Sequence, residues 1–327
     1  MRRRNSVPRQ VVVIGMENIA AFRECHERWA GWIGASQEKM PKNTIWRQCT
    51  EMMNNEFMFQ ALLLAGKKAA SLPDFHSYLA ANSPLYRYLL DGYLSFQYLA
   101  IRRLMDRYEP ARDKKQAKGV ASLYRLLNDM EAHSELIARE AFVCVDGLPY
   151  DYTEALESER TKALEAFWEH SEGEAWLGEP GIGTKSRQRH LVFDRLSGVA
   201  EDHRQPTDTI APAYWQQYRD ALAEPELSRI KNFVDKYLAH AADEQSIATL
   251  DDEDKKQSMQ RIHHAQHCLI SLVQRLALDF YGTRMVMVPT DGEAQLLCNF
   301  SKPFVSSEIA AETFEELRHK VQERFRL

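Results

Sequence analysis

Lys236 and His240 stand four residues apart in Phe233-Val-Asp-Lys-Tyr-Leu-Ala-His240, within a stretch that reads as helix from about Pro225 to Thr249. That spacing is about one helical turn, so ammonium and imidazole are neighbours on one face. Asp243 follows three residues after His240 on the same side, and Asp235 directly precedes Lys236. Ile230, Val234, Tyr237, Leu238 and Ala241 draw an apolar stripe beside this polar face. An imidazole moves protons near neutral pH, and a nearby cation offsets the charge on a crowded phosphate. The set therefore has the capacity for metal-free cleavage of an RNA phosphodiester. The same spacing also fits solvated Lys236 and Asp243 with His240 at a packing surface.

Other constellations are weaker. Gly178-Glu-Pro-Gly-Ile-Gly-Thr-Lys-Ser186 approaches a phosphate-binding loop, but Thr184 separates Gly183 from Lys185, and a helical pattern precedes it where a strand is needed. A loop is the plainer reading, with Lys185, Arg187, Arg189 and His190 as a basic edge for RNA phosphates. His263 and His267 are one turn apart, with His264 beside them, but no acid or cysteine completes a ligand set. One Glu-x-x-His pair, Glu316 with His319, is half of what a di-iron bundle requires. Tyr214, Trp215 and Tyr218 read as core, with base stacking as the alternative. Arg2, Arg3, Arg4 and Arg9 form a basic N-terminal arm. No cofactor or metal site is expected.

The elements that must position these residues are helical. Periodic apolar positions predict helices over about 17–34, 43–69, from Asn82-Ser-Pro84 to Glu109-Pro110, and from Ser122 to about Ala141. Val145-Asp-Gly-Leu-Pro149 interrupts the pattern. An acidic helix follows over about Thr153–His170, then polar, Gly/Pro-rich chain over Glu172–Arg189 and a further irregular stretch near Glu201–Asp208. Beyond the Lys236 segment, Asp251-Asp-Glu-Asp opens a helix that ends at Gly282. Thr283–Val288 and Gln295–Phe300 read as a β-hairpin around Pro289-Thr-Asp-Gly292, and an amphipathic helix closes the chain over about Ser306–Phe325.

The expected fold is mainly α: an antiparallel helical bundle with an inserted middle segment and a small C-terminal β-hairpin plus helix. The expected divisions are 1–42 (arm and first helix), 43–282 (helical domain, with the excursion at about 145–212) and 283–327 (appendage). A length of 327 residues supplies ample core, and a net charge of −5 gives no bulk attraction to nucleic acid. The 5 cysteines follow no CxxC spacing, which argues against a disulfide framework or zinc finger and for reduced thiols. No signal peptide or membrane span is expected, which suggests a cytoplasmic protein.

The segment Asp235-Lys-Tyr-Leu-Ala-His240-Ala-Ala-Asp243 resembles the signature helix of the HEPN superfamily, in particular its abortive-infection-associated (Abi U-type) branch. Upstream, Leu99-Ala-Ile-Arg-Arg-Leu-Met-Asp106, followed by Ser122-Leu-Tyr-Arg-Leu-Leu127, is similar to the family's Arg-Leu-Thr-Asp helix and the leucine-rich segment after it. The likeness spans about 45–280. It implies a helical bundle that forms a homodimer, with a composite metal-independent endoribonuclease site that acts in phage defence or as a toxin. RNA would be the substrate, and an antitoxin or defence-system protein a partner. His240 would handle the proton, Lys236 the phosphate charge, and Asp235 or Asp243 would orient the histidine. The chain departs from the pattern at the motif arginine, because counting back from His240 across five intervening residues reaches Val234. Either Lys236 or a basic residue from elsewhere supplies the cation, or the bundle is a catalytically inactive module that binds RNA or protein.

Overall fold

The computed structural model describes residues 16–35, 43–69, 75–107, 121–169, 180–238, 251–255 and 258–284. Within them the chain is mainly helical, and no strand occurs among the described residues. The expected hairpin strands and closing helix lie outside the described residues, apart from Thr283 and Arg284, which carry no regular structure. Packing divides the chain into two compact units, Met1–Cys49 with Ser95–Met285, and Thr50–Leu94 with Val286–Leu327.

The larger unit opens with α1 (Met16–Ile33), which buries Phe22, Cys25, Trp29 and Ile33 along one stripe. Two longer helices follow, α2 (Ile45–Ala69) and α3 (Phe75–Leu104), and the unit boundaries fall inside them. Thr44 begins α2, its hydroxyl accepting from the Arg47 amide at 3.2 Å. The sequence places a helix start at Asn82-Ser-Pro84, yet α3 begins at Phe75 and passes through Pro84. A proline inside a helix removes one backbone bond at a cost of about 3 kcal/mol, a loss that one position in a 30-residue helix can absorb.

Ser122 caps α4 (Leu123–Ala132) by accepting from the Arg125 amide at 3.2 Å, at the helix start that the sequence places there. The helix expected to continue to Ala141 instead breaks at His133. A 3₁₀ turn over Ser134–Leu136 follows, and α5 (Arg139–Cys144) starts afresh. The break frees backbone amides for a distant loop: Arg139 N–H donates to Asp208 at 2.9 Å and Glu140 N–H to Pro206 at 3.0 Å.

The stretch expected as an excursion lies within this same unit. It holds α6 (Thr153–Glu169) and α7 (Ile182–Ser197), the latter starting well inside the expected loop. Helix α7 packs on α5 and α6 and buries Phe193 and Leu196. The fully buried Arg139 donates to Asp194 at 2.7 Å, to Asp208 at 2.8 Å and to Ser197 at 3.2 Å. Arg204 closes on the same Asp194 at 2.6 Å. Gly198, at φ 72°, ends α7 in the left-handed region that glycine adopts without penalty.

Helices α8 (Pro212–Leu222) and α9 (Pro225–Phe233) begin with proline in the first turn, where no amide bond is lost. The run Asp251-Asp-Glu-Asp does not open the last long helix. It forms a short α10 (Asp252–Lys255), and Ser258 then caps α11 (Met259–Tyr281) by accepting from the Arg261 amide at 3.1 Å. Ile262, Ala265, Leu269, Leu272, Val273, Leu276 and Phe280 make α11 the most regular core stripe of the unit. Each of the larger side chains among them contributes roughly 1.5–3 kcal/mol when fully buried. No described helix is long and apolar enough to cross a membrane.

In the smaller unit, the Phe59 and Tyr93 rings stack at 4.0 Å, and the Tyr93 hydroxyl donates to the buried Glu56 carboxylate.

Candidate functional site

The segment that carries the candidate chemistry starts from a firm base. Glu224 accepts from the Glu226 amide at 2.7 Å and holds the first turn of α9. Leu227, Ile230 and Phe233 then face the core. At Val234 the α-helix gives way to a π-helical turn over Val234–Leu238. Such wide turns recur at functional sites.

Val234 is fully buried. The position where the resemblance asks for an arginine is therefore core, as its place on the apolar stripe predicted. The buried stripe stops there. Tyr237 and Leu238, expected on the same stripe, are each 38% exposed, because the α periodicity that would have turned them inward ends at Phe233. The Tyr237 ring lies on Phe233 at 4.9 Å, and Phe233 in turn meets the buried Tyr98 at 5.3 Å.

Asp235 is the fixed point of the turn. Its carboxylate accepts from Arg102 Nε at 2.6 Å and from Lys231 Nζ at 2.8 Å, and Arg102 also contacts Asp106 at 3.2 Å. Partial burial works to raise the Asp235 carboxyl, but hydrogen bonds from Lys231 and Arg102 outweigh it and hold the group below the usual carboxylate range. Burial likewise opposes the Arg102 charge, and the hydrogen bond to Asp235 overcomes it. Lys236 follows, half-buried, on the same turn. His240 and Asp243 lie outside the described residues.

The structure thus brings Arg102 and Lys231 onto Asp235, with Lys236 the next residue along the turn. Arg102 and Lys231 are the members that residue counting from His240 misses. Lys231 has a local signal, since it stands four before Asp235 on a helix. Arg102 is 133 residues from its partner, and only its membership of the Leu99–Asp106 segment marked it. Nearby charges form a second chain: Arg229 pairs with Glu226, Glu226 with Arg261 at 2.5 Å, and Arg261 with Glu253 at 3.8 Å.

The other candidates resolve differently. Gly178–Ser186 is not a plain loop, because α7 begins at Ile182. The Gly183 and Thr184 amides and the Thr184 hydroxyl all donate to the Glu159 carboxylate of α6, at 2.6, 3.1 and 2.7 Å. A carboxylate of the chain itself fills the place a phosphate would take. A Cβ at Gly183 would meet the Leu156 backbone at 2.5 Å, so the glycine serves helix contact. The basic edge turns inward in part: Arg189 pairs with Asp146, and His190 is buried with its Nε2 on the Tyr150 carbonyl at 2.9 Å. Tyr214, Trp215 and Tyr218 are buried, and the Tyr214 hydroxyl donates to Asp279 at 2.7 Å. His263, His264 and His267 are exposed, and His264 faces Glu224 at 3.1 Å. No group of three or more His, Cys, Asp or Glu able to hold a metal occurs among the described residues.

In comparisons with known proteins, the chain matches no family model, no curated protein and no solved structure.

Proposed function

We propose that this chain is a HEPN-like, RNA-directed protein, a metal-independent endoribonuclease of the anti-phage or toxin kind that acts as a homodimer. One observation carries the reading: Arg102, from the segment resembling the family's Arg-Leu-Thr-Asp helix, hydrogen-bonds Asp235 of the signature-like segment at 2.6 Å. The two segments that carry the resemblance, far apart in sequence, meet where a shared site needs them. The cation absent at Val234 is then supplied by Lys236 and by Arg102, which Asp235 holds in place. His240 takes the 2′-hydroxyl proton as that oxygen attacks phosphorus. The 5′-oxygen leaves and is protonated by the second His240 of the dimer, giving a 2′,3′-cyclic phosphate and a 5′-hydroxyl. Asp243 orients the imidazole.

A second reading has its own support. A buried Val234 and an Asp235 carboxylate already engaged by two cations suit a non-catalytic module that binds RNA or a partner protein.

The test is cleavage of end-labelled single-stranded RNA and tRNA in EDTA by wild type, His240→Ala and Arg102→Ala. The expected result is cleavage to cyclic-phosphate ends that falls by about 10²–10⁴-fold in His240→Ala. Equal cleavage by wild type and His240→Ala, or none by folded, dimeric wild type, rejects the enzyme and leaves the binding module.

A further inference from the structure

One helix, α7, fastens the connection between α5 and α6, residues 145–152, through three contacts. The Ser186 hydroxyl donates to the Pro149 carbonyl at 2.6 Å, Arg189 pairs with Asp146, and His190 Nε2 meets the Tyr150 carbonyl at 2.9 Å. Burial sets the last contact apart. The His190 residue is 2% exposed, with the Tyr150 and Tyr152 rings at centroid distances of 4.9 and 5.4 Å. A carbonyl only accepts, so Nε2 carries the proton of the neutral ring. Nδ1 is then a bare acceptor, buried and without a hydrogen-bond partner among the described residues. A buried polar atom left so is rare in folded proteins and asks for an explanation.

The surrounding charges do not favour a second proton. Arg139 of α5 reaches the His190 carbonyl at 3.4 Å, and Arg204, from the segment after α7, reaches the Tyr152 hydroxyl at 3.2 Å; both oppose a charge on the imidazole. Asp194, four residues on along α7, favours it, but those same arginines already hold its carboxylate at 2.7 and 2.6 Å. The other acids nearby are engaged too. Asp208 accepts from Arg139 at 2.8 Å, Glu201 from Tyr152 and Arg204 at 3.2 Å, and Asp151 from the Thr153 amide at 3.0 Å. Glu159 of α6 is taken up by Gly183 and Thr184, and Asp146 by Arg189. Burial pushes the Tyr150 phenol up to about 12, so that ring stays neutral.

A proton on Nδ1 would put a charge and an unpaired N–H into this interior together, and burial makes both costly. The cost disappears once the ring reaches water. We propose that His190 is a proton-operated latch: near neutral pH it ties residues 145–152 to α7, and in acid the protonation of Nδ1 releases that connection while the rest of the larger unit stays folded. Of the three contacts, this is the one built on a group whose ordinary range spans neutral pH. In the closed form burial holds the imidazole below the ordinary 6.5, against the hydrogen bond to the Tyr150 carbonyl, and Arg204 and Arg139 add to the lowering. The tie is therefore at full strength above the ordinary value and is lost as pH falls through the closed one. It uses neither His240 nor Lys236 and stands apart from the proposed cleavage.

The experiment follows amide hydrogen exchange of the full chain by mass spectrometry from about pH 7.5 to about pH 5.5, with rates corrected for the intrinsic effect of pH on exchange. Wild type is compared with His190→Gln, whose side-chain amide can still donate to the Tyr150 carbonyl but takes up no proton in this range, and with His26→Gln, which removes the other buried histidine. The expected result in wild type is a fall of about tenfold in the protection of residues 145–152 and the facing turns of α7, with α9 unchanged. His190→Gln abolishes the fall and His26→Gln leaves it in place. A constant protection of 145–152, a loss shared equally by α9, or a fall that persists in His190→Gln would each overturn the proposal. If His190→Gln does not fold, the wild-type ring decides by nitrogen-15 NMR. A His190 that stays neutral while 145–152 remains protected supports the latch, and one that becomes charged with that protection intact rejects it.

Discussion

Position 234 decides how the resemblance should be used in engineering. Its side chain is fully buried beside Ile230 and Phe233 in the sequence order of α9. Restoring the motif by Val234→Arg would force a guanidinium into that core, and an unpaired buried charge is among the costliest substitutions a protein can carry. The expected outcome is a lower melting temperature and no gain in RNA cleavage. A variant as stable as wild type that cleaves faster would show the buried position to be wrong. The apolar character of Val234 was legible from its spacing to Ile230, whereas the cation beside Asp235 was not. Lys231 follows from a local i,i+4 rule, but the 2.6 Å contact from Arg102 depends on tertiary packing for which a single sequence holds no local signal.

Elements here are tied by charge as well as by apolar faces. Arg139 at the start of α5 joins Asp194 on α7 to Asp208 in the following loop, and its side chain is fully buried. Removing one member of such a set strands the others. Arg139→Ala is therefore expected to cost about 3–5 kcal/mol in urea unfolding. Adding Asp208→Asn should recover part of that loss, since Asp194 keeps Arg204 at 2.6 Å while Asp208 loses the cation it held. A loss under about 1 kcal/mol, the value for exposed pairs, would contradict the burial. Helix α11 was legible because its apolar residues recur at three and four; the break after α4 was not. His133 to Ala138 carries no proline or glycine, and the chain leaves the helix there to meet the Pro206–Asp208 backbone.

Across the whole molecule, the shifted groups among the described residues that titrate on the acid side pull stability in one direction. Burial lowers His26 and His190 below the ordinary 6.5. In Asp129, Asp194 and Asp235 burial acts to raise the carboxyl, but hydrogen bonds from cations prevail and hold each below the ordinary 3.8. In every case the unfolded chain binds the proton more readily. Their contribution is full above the unfolded value and is lost as pH falls through the folded one. Unfolding free energy should therefore decline below about pH 6.5 and decline again in the carboxylate range, a tenfold difference in proton affinity between the two states being worth about 1.4 kcal/mol. Urea midpoints that stay level or rise on acidification would reject this. The mainly helical class was plain from periodicity. The part taken by 145–212 was not, because a polar, glycine-rich composition says nothing of Phe193 and Leu196 reaching the core.

The wide turn at Val234–Leu238 also separates two kinds of distance. A motif written as a fixed gap counts positions along the chain, but a ligand senses angle about the helix axis. Each α-helical residue advances roughly 100°, and a turn closed five residues apart instead of four accommodates one extra residue without the matching rotation. Numbering and azimuth therefore fall out of step here, as after a one-residue insertion. A pattern that counts a fixed gap across this turn assigns a side chain an azimuth other than the one it takes, and passes over a chain built this way.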